Sequence, residues 1–366
     1  MRKKRPFDSV VFTSVVALVI GGFLIFMSAS LGLLVRDGAQ FSDIAVSQFF
    51  LGIVGGFIAL YITSHIPYRL WRHYALYLFI AAVLLMLLVF VPGVGLELNG
   101  AHRWIDLGVT TFQPAEFLKI AYVFYLGAWL SQRKSKKTRF LARVAPFSLI
   151  TAITAALLLV QPDTGTFLVI AAAGGAMYFA SGSKWKDIGV IALVGVITLS
   201  GVVFSRDYAL DRLKTFINPG ADPLGSSYQI RQSLIAVGSG KVIGRGFGQS
   251  VQKFNYLPEP TSDSVFAVFA EEFGFVGSVL LVFGFMLFGL RSLWLAARAP
   301  DMYGGLVTVG IAILVTAQSF LNIASMLAVF PLTGLPLIFI SHGGSALFMS
   351  LASVGVLLNI SRFKRA

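Results

Sequence analysis

Long apolar runs alternate with short polar punctuation along the chain, and ten of these runs predict helices near 10–35, 46–66, 74–93, 114–131, 144–160, 165–181, 188–205, 263–290, 304–327 and 343–360. Each is close to the roughly 20 apolar residues that cross about 30 Å of hydrocarbon as a helix. One polar interval, 206–262, is far longer than the rest, and loops beyond about 12–15 residues are usually functional. Inside it, YQIRQSLIAVG (228–238) has the apolar spacing of a short amphipathic helix, and GSGKVIGRGFG (238–248) reads as a returning loop. Near the C-terminus, PLTGLPLIFISHGGSALF (331–348) puts Pro, Gly and Ser where a span would be continuous, which predicts a broken segment facing a cavity. The expected fold is an all-α polytopic membrane protein: one domain over 1–366 with ten transmembrane helices and a single large extracytoplasmic loop, about 206–262.

Composition strengthens this reading and orients it. Hydrophobic residues make up 57% of the chain and charged residues 12%, about half the charged share of a soluble domain. The first apolar run follows Arg2, Lys3, Lys4 and Arg5 as in a secretory signal, but it exceeds the ~7–15 residues of a signal core and is expected to be retained. With the N-terminus in the cytoplasm, most of the 29 Lys and Arg fall in inside loops, including the cluster Arg133, Lys134, Lys136, Lys137, Arg139 and Arg143, so both termini are expected inside. The net charge of +13 is dispersed over these loops and forms no concentrated phosphate-binding patch, which excludes nucleic acid as a partner. There is no cysteine, hence no disulfide, zinc cluster or thiol nucleophile. Gly244, Gly246 and Gly248 lack the preceding strand and following Lys-Ser/Thr of a nucleotide loop.

Charges inside apolar spans are costly, which makes each a functional candidate. Glu116 and Lys119 lie three apart just after the helix-starting Gln113-Pro114, so they share a face and can pair, either to fix packing or to act at a site. Arg103, beside Trp104, is a rare outside cation, suited as a guanidinium to a diphosphate or else an ordinary flanking charge. Asp163 in QPDTGT is expected to cap the next helix, and His342 to be structural. The stretch LPEPTSDSVFAVFAEEFG (257–274) crowds Glu259, Asp263, Glu271 and Glu272 at the mouth of an apolar helix. Asp263 at the helix start is reachable by a polar head group, or is simply an N-cap. Glu271 and Glu272 lie about 12 Å deeper along the axis and should face partners or be protonated.

Taken together, NGAHRWIDLG, FQPAEFLKI, QPDTGT, the block from DPLGSSYQIRQ to VFAEEFG, and PLTGLPLIFISHGGSALF resemble the SEDS family of shape, elongation, division and sporulation proteins over nearly the whole chain. GQSVQKFNYLPEP is more similar to the division (FtsW) branch than to the elongation (RodA) branch. LPEPTSDSVF and SHGGSA depart from the family's usual LPEAHTDFIF and SYGGSS. The resemblance implies a ten-span glycosyltransferase of the bacterial cytoplasmic membrane that polymerises lipid II, an undecaprenyl-diphosphate-linked disaccharide peptide, on the outer face. Asp263 aligns with the aspartate taken as catalytic, and a carboxylate there can accept the proton of the attacking sugar hydroxyl. Arg103, Arg212, Lys214 and Lys119 are expected to face the diphosphate, with Glu116, Glu259, Gln232 and Ser341 as further substrate contacts. No organic cofactor is implied, and a divalent cation on the diphosphate is left open. The implied partners are a class B penicillin-binding protein transpeptidase and other division or elongation proteins. A lipid II flippase or other lipid-linked substrate transporter, and a non-catalytic scaffold for a transpeptidase, are the competing readings. The intramembrane charges Glu116, Lys119, Glu271 and Glu272 keep the transporter reading open, and Glu271 and Glu272 have no assigned chemical role in the polymerase.

Overall fold

The computed structural model describes residues 6–36, 42, 44–98, 101–108, 110–132, 140–205, 207–218, 227–254 and 256–364. Helices α1 (Ser9–Arg36), α2 (Gly56–His65) and α3 (Tyr68–Leu88) open the chain, and a π-helical stretch, Ser47–Gly55, leads into α2. Next come α4 (Pro114–Ser131), α5 (Phe140–Val160), α6 (Thr164–Ala180) and α7 (Trp185–Ser205). The long polar interval contributes α8 (Asp207–Ile217) and α9 (Tyr228–Ser239), and α10 (Val265–Ala297), α11 (Met302–Met326) and α12 (Gly344–Ser361) complete the chain. All ten expected spans fall on helices, and α9 is the amphipathic helix expected at 228–238. Seven helices, among the described residues, are long and apolar enough to cross a membrane: α1, the continuous 44–65 helix, α3, α5, α10, α11 and α12. The chain is an integral multi-pass membrane protein. α6 is apolar but shorter, and α4 carries the buried Glu116 and Lys119.

Two features depart from the all-α expectation. Strands β1 (Gly95–Leu98), β2 (Ala101–Asp106) and β3 (Thr111–Phe112) form an antiparallel sheet in the order β1-β2-β3, in what reads as a loop. α10 is not one straight span either. At Gly274 the backbone turns to φ 64°, ψ −161°, dividing the helix into a short piece, 265–273, and a long one, 275–297.

Helix starts follow local chemistry. The Asp163 carboxylate accepts from the Thr166 amide and caps α6, as expected, and Pro114 occupies the first position of α4, where no amide hydrogen is needed. The bundle has an inner layer, with 83% of α12 and 67% of the α11 span buried, and an outer layer, with 22% of α3 and 28% of the 44–65 helix buried. At one end of the bundle Asp8 joins three elements. It accepts two hydrogen bonds from Arg291 of α10 (3.0 and 2.7 Å) and one from Lys364 beyond α12 (3.0 Å), while its own amide donates to Ser361.

Residues 331–343 form the expected broken segment, an irregular stretch between α11 and α12. Irregular backbone in a membrane needs internal partners, and α11 supplies them from one face. Gln318 donates to the Pro336 carbonyl (3.0 Å), Asn322 to that of Leu335 (2.7 Å) and Ser325 to that of Pro331 (3.1 Å), a spacing of i, i+4, i+7. The packing is close where glycine permits it: a Cβ on Gly165 of α6 would lie 2.7 Å from the Thr333 carbonyl oxygen.

Candidate functional site

The irregular segment carries Gly334 at φ +67°, a left-handed conformation that glycine adopts freely. A Cβ at that position would be 3.3 Å from an Arg212 guanidinium nitrogen and 3.5 Å from Asp263 Oδ2. The two opposite charges therefore face one point, kept open by the missing side chain. Around it lies a cleft of about 240 Å³ lined by Arg212, Gln229, Asp263, Asn322, Thr333 and Gly334, among others.

The backbone at Asp263 is held from three sides. Asn322 donates to its carbonyl (2.7 Å), Ser341 Oγ donates to the Ser262 carbonyl (2.6 Å), and the His342 amide donates to that of Thr261 (2.7 Å). Gln229 of α9 donates to Ser264, the N-cap residue of α10 (3.0 Å). The Asp263 side chain is left with less: a hydrogen bond from Ser262 Oγ at 3.2 Å. It does not cap α10. Burial above all, and then the carboxylate of Glu259, push the Asp263 carboxyl up to about 6, against the Ser262 hydrogen bond and the positive charges of Arg212 and Arg103. A carboxylate near 6 is largely ionised at neutral pH yet remains a useful proton acceptor.

The other expected site residues divide into those at the cleft and those away from it. Arg212 lines it, with one guanidinium nitrogen donating to the Leu332 carbonyl (2.7 Å). Arg103 of β2 donates to the Gln161 carbonyl (3.0 Å) and to that of Pro162 (2.5 Å), and its charge reaches Asp263. Glu259 is exposed beside Asp263. Ser341 is buried and spans between Ser262 and the Leu337 amide, which makes it a brace of the site. Lys214 is exposed on α8 and pairs with Asp211, also exposed, at 3.6 Å. Gln232 is half-buried on α9, about one turn past Gln229, and is not part of the lining.

Glu116 and Lys119 pair at 2.8 Å, and Lys119 also donates to Gln318 (2.7 Å), the residue that holds the Pro336 carbonyl. They line a different cavity of about 270 Å³ with Ile338, Ser350 and Ser353. Their contact with the candidate site runs through the irregular segment.

Asn322 and Gln229 had no place in the sequence reading. Asn322 Oδ1 is buried and, among the described residues, accepts no hydrogen bond. Its signal was available: Gln318, Asn322 and Ser325 recur at i, i+4 and i+7, on one face of a largely apolar span. Among the described residues no three His, Asp or Glu side chains converge to hold a metal ion. The carboxylates at the cleft are Asp263 and, beside it, Glu259.

Glu271 and Glu272 are fully engaged. Glu271 accepts from Ser250 Oγ (2.6 Å) and the amides of Val251 and Gln252 (both 3.2 Å), and pairs with Arg245 at 3.4 Å. Glu272 accepts from Ser28 Oγ (2.6 Å) and from buried Lys253 (2.8 Å), whose Nζ also donates to the Gly248 carbonyl. They clamp the loop before Asp263 onto α1 and α10.

Comparison with known proteins agrees with this architecture. The chain is 36% identical over 364 residues to stage V sporulation protein E of Bacillus subtilis, covering 100% of this chain and 99% of that protein. It is 38% identical over 366 residues to a probable peptidoglycan glycosyltransferase FtsW of Geobacter sp. strain M18, covering 99% and 98%. Among solved structures it superposes on a chain of a peptidoglycan synthase complex that coordinates polymerization and crosslinking, with TM-score 0.79, 29% identity and 98% of both chains covered. It also superposes on the rod shape determining protein RodA of Thermus thermophilus, with TM-score 0.72, 28% identity and 98% of both chains covered. The family model described as cell cycle protein, spanning FtsW, RodA and SpoVE, matches residues 8–366, and the chain belongs to that family.

Proposed function

We propose that this chain is a peptidoglycan glycosyltransferase that polymerises lipid II at the Asp263 cleft, on the outer face of the bacterial cytoplasmic membrane. The observation that carries the reading is the facing of Asp263 and Arg212 across the space above Gly334. An acceptor sugar hydroxyl attacks the donor's anomeric carbon, the carbon–oxygen bond to the lipid diphosphate breaks with inversion, and the hydroxyl proton passes to the Asp263 carboxylate. Arg212, together with the positive charge of Arg103, stabilises the negative charge that develops on the diphosphate. A diphosphate is a good leaving group, so a second carboxylate acting as acid, as in glycosidases, is dispensable. A divalent cation, where one is used, adds to the same charge stabilisation.

This reading has ten spans, both termini in the cytoplasm, 206–262 outside, and a class B penicillin-binding protein as crosslinking partner in division or elongation. The relative named peptidoglycan glycosyltransferase and the neighbour from a synthase complex support it. A lipid transporter would keep charges free near the midplane. Here Glu116 is paired with Lys119, and Glu272 with Lys253, inside the protein, which weighs against transport.

The test is polymerisation of lipid II by the purified chain, read as glycan strands on a gel. Asp263→Asn is expected to lower the rate by about 10²–10⁴-fold, the usual contribution of a general base, with folding intact. Undiminished polymer from that variant would remove Asp263 from the chemistry, whereas no polymer from the purified parent chain would favour the scaffold reading. Lipid II translocated without being polymerised would favour the transporter.

A further inference from the structure

We propose that the hairpin 240–247 is inserted into the bilayer, with Val242, Ile243 and Phe247 among the acyl chains and Lys241 and Arg245 at the level of the headgroups. The argument begins with a length. After the break at Gly274, α10 runs without charge from Phe275 to Leu290 and meets Arg291. Those 16 residues give about 24 Å of apolar helix, short of the ~30 Å hydrocarbon core. The piece before the break adds no lipid-facing surface, because 265–272 is buried in the protein throughout.

The hairpin lies where the missing length would be. The Phe275 amide donates to the Lys241 carbonyl (2.9 Å) and the Val276 amide to that of Val242 (3.1 Å), so Val242 and Ile243 are level with the first turn of the lipid-facing helix. Their exposure continues the lipid-facing surface of α10: Phe275 is 68% exposed, Val242 62%, Ile243 82% and Phe247 54%. Apolar side chains so exposed, flanked by Lys and Arg, are the composition of an interfacial membrane element. Membrane lipid is the occupant this continuity selects.

The depth of the hairpin is fixed by rigid contacts. Arg245 and Gly246 donate their amides to the Glu271 and Glu272 carbonyls (both 3.0 Å), the last of the short helix. A Cβ on Gly240 or Gly244 would collide with the Ala270 or Glu272 backbone. The same hairpin thus caps 265–273, supplies acceptors to the first amides of 275–297, and carries their apolar surface outward. Which leaflet it enters rests on the orientation proposed above, but insertion itself does not.

The chain has no native cysteine, so a single nitroxide can be placed on the full-length protein in phosphatidylethanolamine–phosphatidylglycerol vesicles. Ile243→Cys carries the label at the hairpin, Val279→Cys on the lipid face of α10, and Glu97→Cys on exposed β1. The ratio of collision with oxygen to collision with a nickel chelate reports depth. For the Ile243 site it is expected to match Val279 within about twofold and to exceed Glu97 by roughly fivefold or more, as apolar burial requires. A ratio equal to that of Glu97, or a label shielded from both reagents by protein, would overturn the proposal. Reduction by external ascorbate tests the leaflet separately, so an inverted orientation and a failed insertion give different results.

Discussion

Asp263 and the pair Glu271-Glu272 sit within ten residues of one another on one short helix and its approach, yet the structure treats them oppositely. The two glutamates are buried and meet a full set of donors: Ser250 Oγ and two amides for one, Ser28 and Lys253 for the other. Asp263 is half-buried at the cleft with, among the described residues, one side-chain donor, and its pKa is pushed up to about 6. A buried carboxylate that is completely satisfied stabilises a geometry. One left short of partners beside a cleft is available for chemistry. The same residue class a few positions apart has been divided by its surroundings alone into carboxylates held by donors and one left facing the cleft.

The largest expected stability effect lies on the scaffold side. Lys253→Met would leave the Glu272 carboxylate buried without its cation, and breaking such a pair costs about 3–5 kcal/mol. Thermal unfolding in detergent should show a large loss for this variant. The double variant Lys253→Met with Glu272→Gln should lose clearly less than Lys253→Met alone, because no charge is then stranded. Equal losses would mean that Glu272 is not held as an ion, and the contrast with Asp263 would narrow.

That contrast was only half legible in the sequence. Asp263 could be singled out because its position at a helix mouth is a local property, as are the ten apolar runs, the Asp163 cap and the Pro114 start. The partners of Glu271 and Glu272 are not local. Ser28 lies 244 positions from Glu272, and the break at Gly274 depends on acceptors from Lys241 and Val242, so an isolated glycine in an apolar run gave no reason to divide α10. The sheet β1–β3 had a signal that was passed over: Asn99-Gly100 between two short runs is a hairpin pattern. The division within α8, where Arg212 turns to the cleft and Lys214 to solvent, needed the fold, since both read equally well as cations of an outside loop.

The next contrast is in pH. A base must be ionised to act, so polymerisation limited by proton transfer should fall as pH drops through about 6, by about tenfold per unit well below it. Glu259 is one of the causes that raise the Asp263 pKa, so Glu259→Gln should move the midpoint toward lower pH. An inflection that stays in place after that change would mean that Asp263 is not the group being titrated.

The smallest effect has the opposite sign to the first and separates the two roles most cleanly. A carboxyl whose folded pKa is about 6 against an ordinary 3.8 binds its proton more tightly in the folded state. Its contribution to stability is therefore complete below pH 3.8 and is lost as pH rises through 6. At pH 7 and above, the ionised Asp263 opposes folding, and Asp263→Asn should be more stable than the parent by about 1 kcal/mol, discounted because the side chain is partly open to the cleft. The gain should shrink as pH falls toward 4. Lys253→Met is expected to destabilise at pH 7, since its damage is a stranded charge inside the protein. A protein stabilised by losing one carboxylate, and weakened by losing the partner of another a few residues away, would hold the first in place at a cost to folding, as the proposed role of Asp263 in the cleft requires.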